Sequence, residues 1–131
     1  MKQKKVLIVG ATGLVGYAAM KHFTTQKDCS VIAVSRRRPA ETFGAKFISV
    51  DLTNEKQCLE VFGNMTDITH VVYTALYEKP DLIEGWLDEE QILINKLMLR
   101  NLFEPLERAA KELKQLHYCR VLKLMEYTLN R

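Results

Sequence analysis

Val6-Leu7-Ile8-Val9-Gly10-Ala11-Thr12-Gly13-Leu14-Val15-Gly16 is the stretch on which the reading of this chain turns. Its first four residues are apolar and largely β-branched, as suits a short strand buried on both faces of a parallel sheet. Gly10 punctuates that strand. From Gly13 the period changes: Leu14, Val15, Ala18, Ala19, His22 and Phe23 recur at three- and four-residue spacing, a helical signal that fades by Gln26-Lys27-Asp28. The three glycines at the join each have a physical task. Gly10 lets the chain turn sharply off the strand, Gly13 lets backbone approach a pyrophosphate, and Gly16 lets helix and strand pack closely. The first amides of the helix, with its dipole behind them, then form a site for an anion. A glycine-containing turn that binds nothing has the same spacing. The motif gains its meaning from its place as the first strand, loop and helix of a βαβ unit.

Further along, Val31-Ile32-Ala33-Val34 and Phe47-Ile48-Ser49-Val50 are two more apolar runs, and His70-Val71-Val72-Tyr73-Thr74 is a fourth strand. Pro39 to Gly44 reads as a loop with at most one helical turn. Asn54 with Gln57 three residues on has the form of a capping box, opening a short helix to about Phe62. Gly63 to Asp67 is a turn cluster. Residues 78–90 form an acidic loop around Trp86, and Asp88 caps a long helix with Gln91 at the reciprocal position. The apolar stripe of that helix runs Ile92, Leu93, Leu97, Leu102, Leu106, Ala109, Ala110 and Leu113, and Pro105 should kink or divide it. The sum, βαβ(α)βαβα, argues for an α/β fold: a doubly wound parallel sheet covered on both faces. Four strands are recognisable and a fifth is doubtful. Beyond Lys114, charges at Arg120, Lys123 and Glu126 recur every three residues, where a central strand should be a near-continuous apolar run. Residues 1–114 are therefore read as the nucleotide-binding part and residues 115–131 as an aberrant tail.

The strand ends address the cofactor. A site for NAD usually places Asp or Glu at the end of the second strand, about 20 residues past the glycines, to take the ribose hydroxyls. Here that end reads Ser35-Arg36-Arg37-Arg38, and no acid follows until Glu41. Forked guanidinium donors pair with a phosphate at two points, so the expected cofactor is NADP (NADPH); a solvated basic turn would have the same residues. Asp51-Leu52 ends the third strand where a side chain could meet the adenine amino group; helix-capping polarity explains the same residues. Thr74-Ala75-Leu76 ends the fourth strand on the nicotinamide side, because ligands gather outside the carboxyl ends of such strands. The candidate cofactor-binding residues are thus Gly10, Thr12, Gly13, Leu14, Val15, Gly16, Ser35, Arg36, Arg37, Asp51, Leu52, Thr74, Ala75 and Leu76. His22, His70 and His117 share no metal-ligand spacing and are read as structural. Asn95 and Asn101, on the long helix, are read as solvent-facing or backbone-supporting.

Composition narrows the partners. The 131 residues are 47% hydrophobic and 27% charged, an ordinary globular balance, and the net charge of +3 is too small to imply a nucleic-acid or membrane-surface protein. Cys29, Cys58 and Cys119 form no C-x-x-C pair, which fits a reducing, cytoplasmic compartment better than a disulfide framework or thiolate zinc site. No apolar run approaches the ~20 residues of a membrane span, and no signal-peptide pattern follows Met1 to Lys5.

The Gly10–Gly16 loop, the Ser35-Arg36-Arg37 end, Asp51-Leu52, the Val72-Tyr73-Thr74-Ala75 strand and the helix Asn95-Lys96-Leu97-Met98-Leu99-Arg100-Asn101 together resemble the extended short-chain dehydrogenase/reductases. Within them, they resemble the branch containing progesterone 5β-reductase and iridoid synthase. The resemblance covers about residues 4–114 and implies a Rossmann-like fold and NADPH-dependent reduction of enone or carbonyl substrates. It also implies a catalytic Lys on a T-G-x-K-like segment ending the fifth strand, and a Tyr further on; neither motif is present here. A back-translation of Tyr118 to Thr128 read one base earlier yields a Gly-Thr-Lys segment, so a frame-shifted tail is expected. On this reading the chain is the NADP(H)-binding N-terminal part of a reductase, inactive as written, with no catalytic residue of its own. A small-molecule substrate is expected only for a full-length form. The alternative is a non-catalytic NADP-binding sensor or regulatory module. A decoy that pairs with a full-length paralogue through the long helix, or a homodimer, stays open.

Overall fold

The computed structural model describes residues 3–75, 89–111 and 113, together with the backbone of 115–118. The acidic loop with Trp86, the Asp88 cap, Leu76 and the tail from residue 119 lie outside the described residues. In chain order the elements are β1 (Lys4–Val9), α1 (Leu14–Thr24), β2 (Cys29–Ser35), β3 (Lys46–Ser49), α2 (Glu55–Phe62), β4 (His70–Tyr73), α3 (Glu89–Ala109) and β5 (Gln115–Tyr118). The strands form one sheet in the order β3-β2-β1-β4-β5, with every neighbouring pair parallel. The chain winds outward from β1 in one direction and then, from β4, in the other. The order therefore reverses between β1 and β4, beside the glycine loop.

Strand alternation explains why both faces are covered. Side chains of successive strand residues point to opposite faces, and the apolar run Val6 to Val9 accordingly feeds two cores. Leu7 and Val9 join Ile32, Val34, Val71 and Tyr73 in a core with Cys58 and Phe62 of α2 and Leu99, Leu102 and Leu106 of α3. Val6 and Ile8 join Val31, Ala33 and Met20 of α1 in the other. Residues 6–9 are all at most 1% exposed, so no polar residue could replace one of them without a hydrogen-bond partner.

Several local expectations are refined. Asn54 caps α2, its Oδ1 accepting from Gln57 N at 3.1 Å. The reciprocal half of the box is redirected: Gln57 Oε1 accepts from Asp51 N at 2.9 Å, while Asn54 N donates to the Asp51 carbonyl at 3.0 Å. Residues 39–44 form no helix; Phe43 (φ 53°) and Gly44 (φ 90°) take left-handed backbone there. Pro105 does not divide the long helix, which runs through it as α3. Proline removes one helical N–H, but its ring is buried in the same apolar face as Leu102 and Leu106, which offsets that loss. Asn95 and Asn101 do not face solvent: they are 2% and 6% exposed. Both support backbone, Asn95 Nδ2 donating to the Gln91 carbonyl at 2.9 Å and Asn101 Nδ2 to the Leu52 carbonyl at 2.8 Å.

A fifth strand is present. Gln115 to Tyr118 pair in parallel with His70 to Tyr73. The charges that made a fifth strand a poor expectation begin at Arg120, after the paired residues.

Candidate dinucleotide-binding site

At the carboxyl ends of the strands lies a cleft of about 930 Å³, within the usual size of ligand sites. Its lining includes Gly10, Thr12, Gly13, Leu14, Val15 and Gly16 from the loop and α1, and Ser35, Arg36 and Arg37 from the end of β2. Asp51 and Leu52, with Thr74 and Ala75, complete the expected set. Every candidate residue from the sequence is therefore on one cleft, save Leu76, which lies outside the described residues. The lining also includes Thr53 and Met98, which sequence reasoning did not single out. The Asp51-Leu52-Thr53 spacing carried a signal for Thr53, since Asp commonly hydrogen-bonds backbone two residues on. Met98 needed the three-dimensional approach of α3.

The three glycines are not equivalent. Gly10 has φ +93°, and a Cβ there would lie 2.7 Å from Ala75 N. At Gly16 a Cβ would lie 2.1 Å from the Gly10 carbonyl oxygen and 2.6 Å from Thr74 Oγ1. The fold itself requires both. Thr74 locks this crossing, its Oγ1 donating to the Val9 carbonyl at 2.8 Å and lying 3.2 Å from the Gly10 carbonyl. Gly13 differs. Its backbone is ordinary (φ −75°, ψ 162°), and an added Cβ would meet only Gly10 O, at 3.5 Å. Gly13 is also the N-cap of α1, where no side chain caps the helix and no acidic residue occupies the first turn. A helix start of this kind presents free donors and the positive end of the dipole.

Just past the end of β2, Arg36 and Arg37 are exposed and, among the described residues, form no ion pair with a carboxylate. Arg38 is turned away, its guanidinium 5.7 Å from the centre of the Phe47 ring. Asp51 Oδ1 accepts from Thr53 Oγ1 at 2.7 Å and Thr53 N at 3.0 Å. These bonds hold the carboxyl below its ordinary pKa, with the nearby Arg36 charge adding to the effect. The turn before α2, whose cap is Asn54, thus accounts for one Asp51 carboxylate oxygen, while the residue still lines the cleft. Beneath it, Cys58 Sγ donates toward the carbonyls of Asp51 (3.5 Å) and Leu52 (3.7 Å). Burial, reinforced by the Asp51 charge, pushes its thiol up to about 11, so it stays a protonated donor.

Among the described residues no group of His, Cys, Asp and Glu could hold a metal ion. Nor is any helix among them long and apolar enough to cross a membrane.

A parallel 3-2-1-4-5 sheet with a glycine loop at its switch point defines a Rossmann-like dinucleotide-binding architecture. The model of the NAD dependent epimerase/dehydratase family matches residues 6–120, and the chain belongs to that family. A curated relative, the (S)-8-oxocitronellyl enol synthase of Antirrhinum majus, is 28% identical over 120 residues, covering 86% of this chain and 28% of the synthase. The chain thus spans 28% of the length of the curated relative it matches. Among solved structures, a short chain dehydrogenase family protein from Francisella tularensis superposes with a TM-score of 0.74 at 15% identity. The match covers 97% of this chain and 60% of that one. A short chain dehydrogenase from Burkholderia cenocepacia in complex with NADP gives 0.74 at 14% identity, covering 89% and 53%. One from Leptospira borgpetersenii with bound NAD+ gives 0.65 at 19%, covering 82% and 46%. The fold is that of the short-chain dehydrogenases.

Proposed function

We propose that this cleft binds NADP(H), and that the chain is the cofactor-binding part of an NADPH-dependent reductase of enone or carbonyl substrates. The observation that carries the reading is Gly13. The fold does not need a glycine there, yet the position has no side chain, borders the cleft and opens an uncapped helix. A pyrophosphate fits that space and those donors. Gly13 with Thr12, Leu14 and Val15 would hold the pyrophosphate, and Asp51 with Leu52 the adenine. Arg36 and Arg37 would take the 2′-phosphate, since both line the cleft and, among the described residues, neither forms an ion pair with a carboxylate. When bound, NADPH supplies a hydride, and Thr74 and Ala75 border the nicotinamide side.

Solved neighbours hold NAD in one case and NADP in others, so the choice of NADP rests on the two arginines. The substrate class rests on the family resemblance and on the name of the enol synthase. For residues 1–131 themselves we propose binding without turnover, because the lysine and tyrosine that the resemblance calls for match no position here.

The test is Gly13→Val, read by titration with both cofactors. A branched side chain in the phosphate space should weaken NADPH and NADH together, by about tenfold or more, in a protein whose circular dichroism is unchanged. Unaltered affinity in that folded variant would place the nucleotide elsewhere.

A further inference from the structure

The two arginines differ from a solvated basic turn in how their backbone is held. Ser35 and Ser49 are register partners on the last rung of the β2–β3 pair, so their side chains leave the same face of the sheet. Both hydroxyls turn to the arginine segment. Ser35 Oγ donates to the Arg37 carbonyl, and Ser49 Oγ donates across the strands to the Arg36 carbonyl at 2.8 Å. The Ser35 carbonyl in turn accepts from Val50 N at 3.1 Å. Consecutive carbonyls of the turn are thus fixed by hydroxyls from two strands, while Arg38 is drawn off onto Phe47. Arg36 and Arg37, unlike Arg38, line the cleft.

We propose that Ser49, which does not line the cleft, is a positioning residue for cofactor choice: through the Arg36 carbonyl it presents the arginine pair to a 2′-phosphate. The inference rests on the NADP reading above. A flexible arginine side chain loses conformational freedom on pairing, and a pre-set backbone reduces that cost. Such a device acts only on a ligand that bears the 2′-phosphate. NADH, which lacks it, is indifferent to Ser49.

The discriminating pair is Ser49→Thr and Ser49→Val, which match in shape and differ in the hydroxyl. Both β-branched residues suit an edge strand, and Ser49 is exposed, so both variants should fold; thermal melts check this. Calorimetric titration of the 131-residue chain should show NADPH affinity falling about three- to tenfold in Ser49→Val, the worth of one hydrogen bond. NADH affinity should stay within about twofold. Ser49→Thr should keep the parent's ratio. Equal affinity of the parent for both cofactors would overturn the NADP reading itself. A parent that prefers NADPH, with the same ratio in Ser49→Val, would overturn the role of Ser49 alone. So would a parallel loss of both cofactors, or a loss in Ser49→Thr as large as in Ser49→Val.

Discussion

Gly13 and Gly16 are three residues apart and chemically identical, yet they answer to different demands. A methyl group at Gly16 would sit 2.1 Å from the Gly10 carbonyl oxygen, inside the crossing of α1 over the loop. Backbone cannot yield there without moving α1, so Gly16→Ala should cost about 2 kcal/mol or more of stability, as overpacking does. Gly13→Ala meets nothing closer than 3.5 Å and exchanges one N-cap residue for a poorer one, so it should stay within about 1 kcal/mol of the parent. Urea denaturation of both variants checks the contrast; equal losses would mean that Gly13 is a structural glycine after all. The glycine spacing was legible in the sequence because each residue acts within one local turn. Which glycines the fold itself requires was not, because the deciding atoms include those of Ala75 and Thr74, far along the chain.

Elements show the same boundary between local and distant causes. The α2 cap was readable from Asn54 and Gln57, but Gln57 Oε1 found Asp51 N in place of its own cap. That bond, with those of Thr53 and Asn54, makes the Asp51 turn a folded unit between β3 and α2. The burial of Asn95 and Asn101 escaped the reading for a related reason: an amide on a helix looks solvent-facing until its partner carbonyl is known. For Asn101 that partner is Leu52, on the cleft. The Asp51 turn has a consequence with pH. Thr53 hydrogen bonds lower the Asp51 pKa below its ordinary 3.8. A depressed folded-state value contributes stability that is present above the unfolded value and lost as pH falls through the folded one. Thr53→Val should therefore raise the Asp51 midpoint toward 3.8, seen by carboxyl NMR titration. Its stability deficit relative to the parent should be constant at neutral pH and shrink below pH 3.8. A deficit independent of pH would assign the effect to lost packing of Thr53.

Over the whole molecule, the alternation of apolar runs and helical periods was enough to fix a parallel α/β sheet, since both faces of each central strand had to be covered. The fifth strand was harder. Its paired residues, Gln115 to Tyr118, are few, and the charge pattern that argued against them lies beyond the pairing. The site was legible to the extent that it is built from strand ends, which the sheet gathers at one edge by topology alone. Met98 entered through packing of α3, which no local spacing announces. The proposed cofactor choice is that the carboxyl ends of these strands select a dinucleotide by its 2′-phosphate. Calorimetric titration of the 131-residue chain with NADPH and NADH, repeated on the Arg36→Ala/Arg37→Ala double variant, measures that directly. Charge-assisted hydrogen bonds to a phosphate contribute about 1.5–3 kcal/mol, so the parent should prefer NADPH by roughly ten- to a hundredfold. The double variant should bind both cofactors alike, with NADH affinity unchanged. Equal affinities in the parent, or a preference that survives loss of both arginines, would contradict the account.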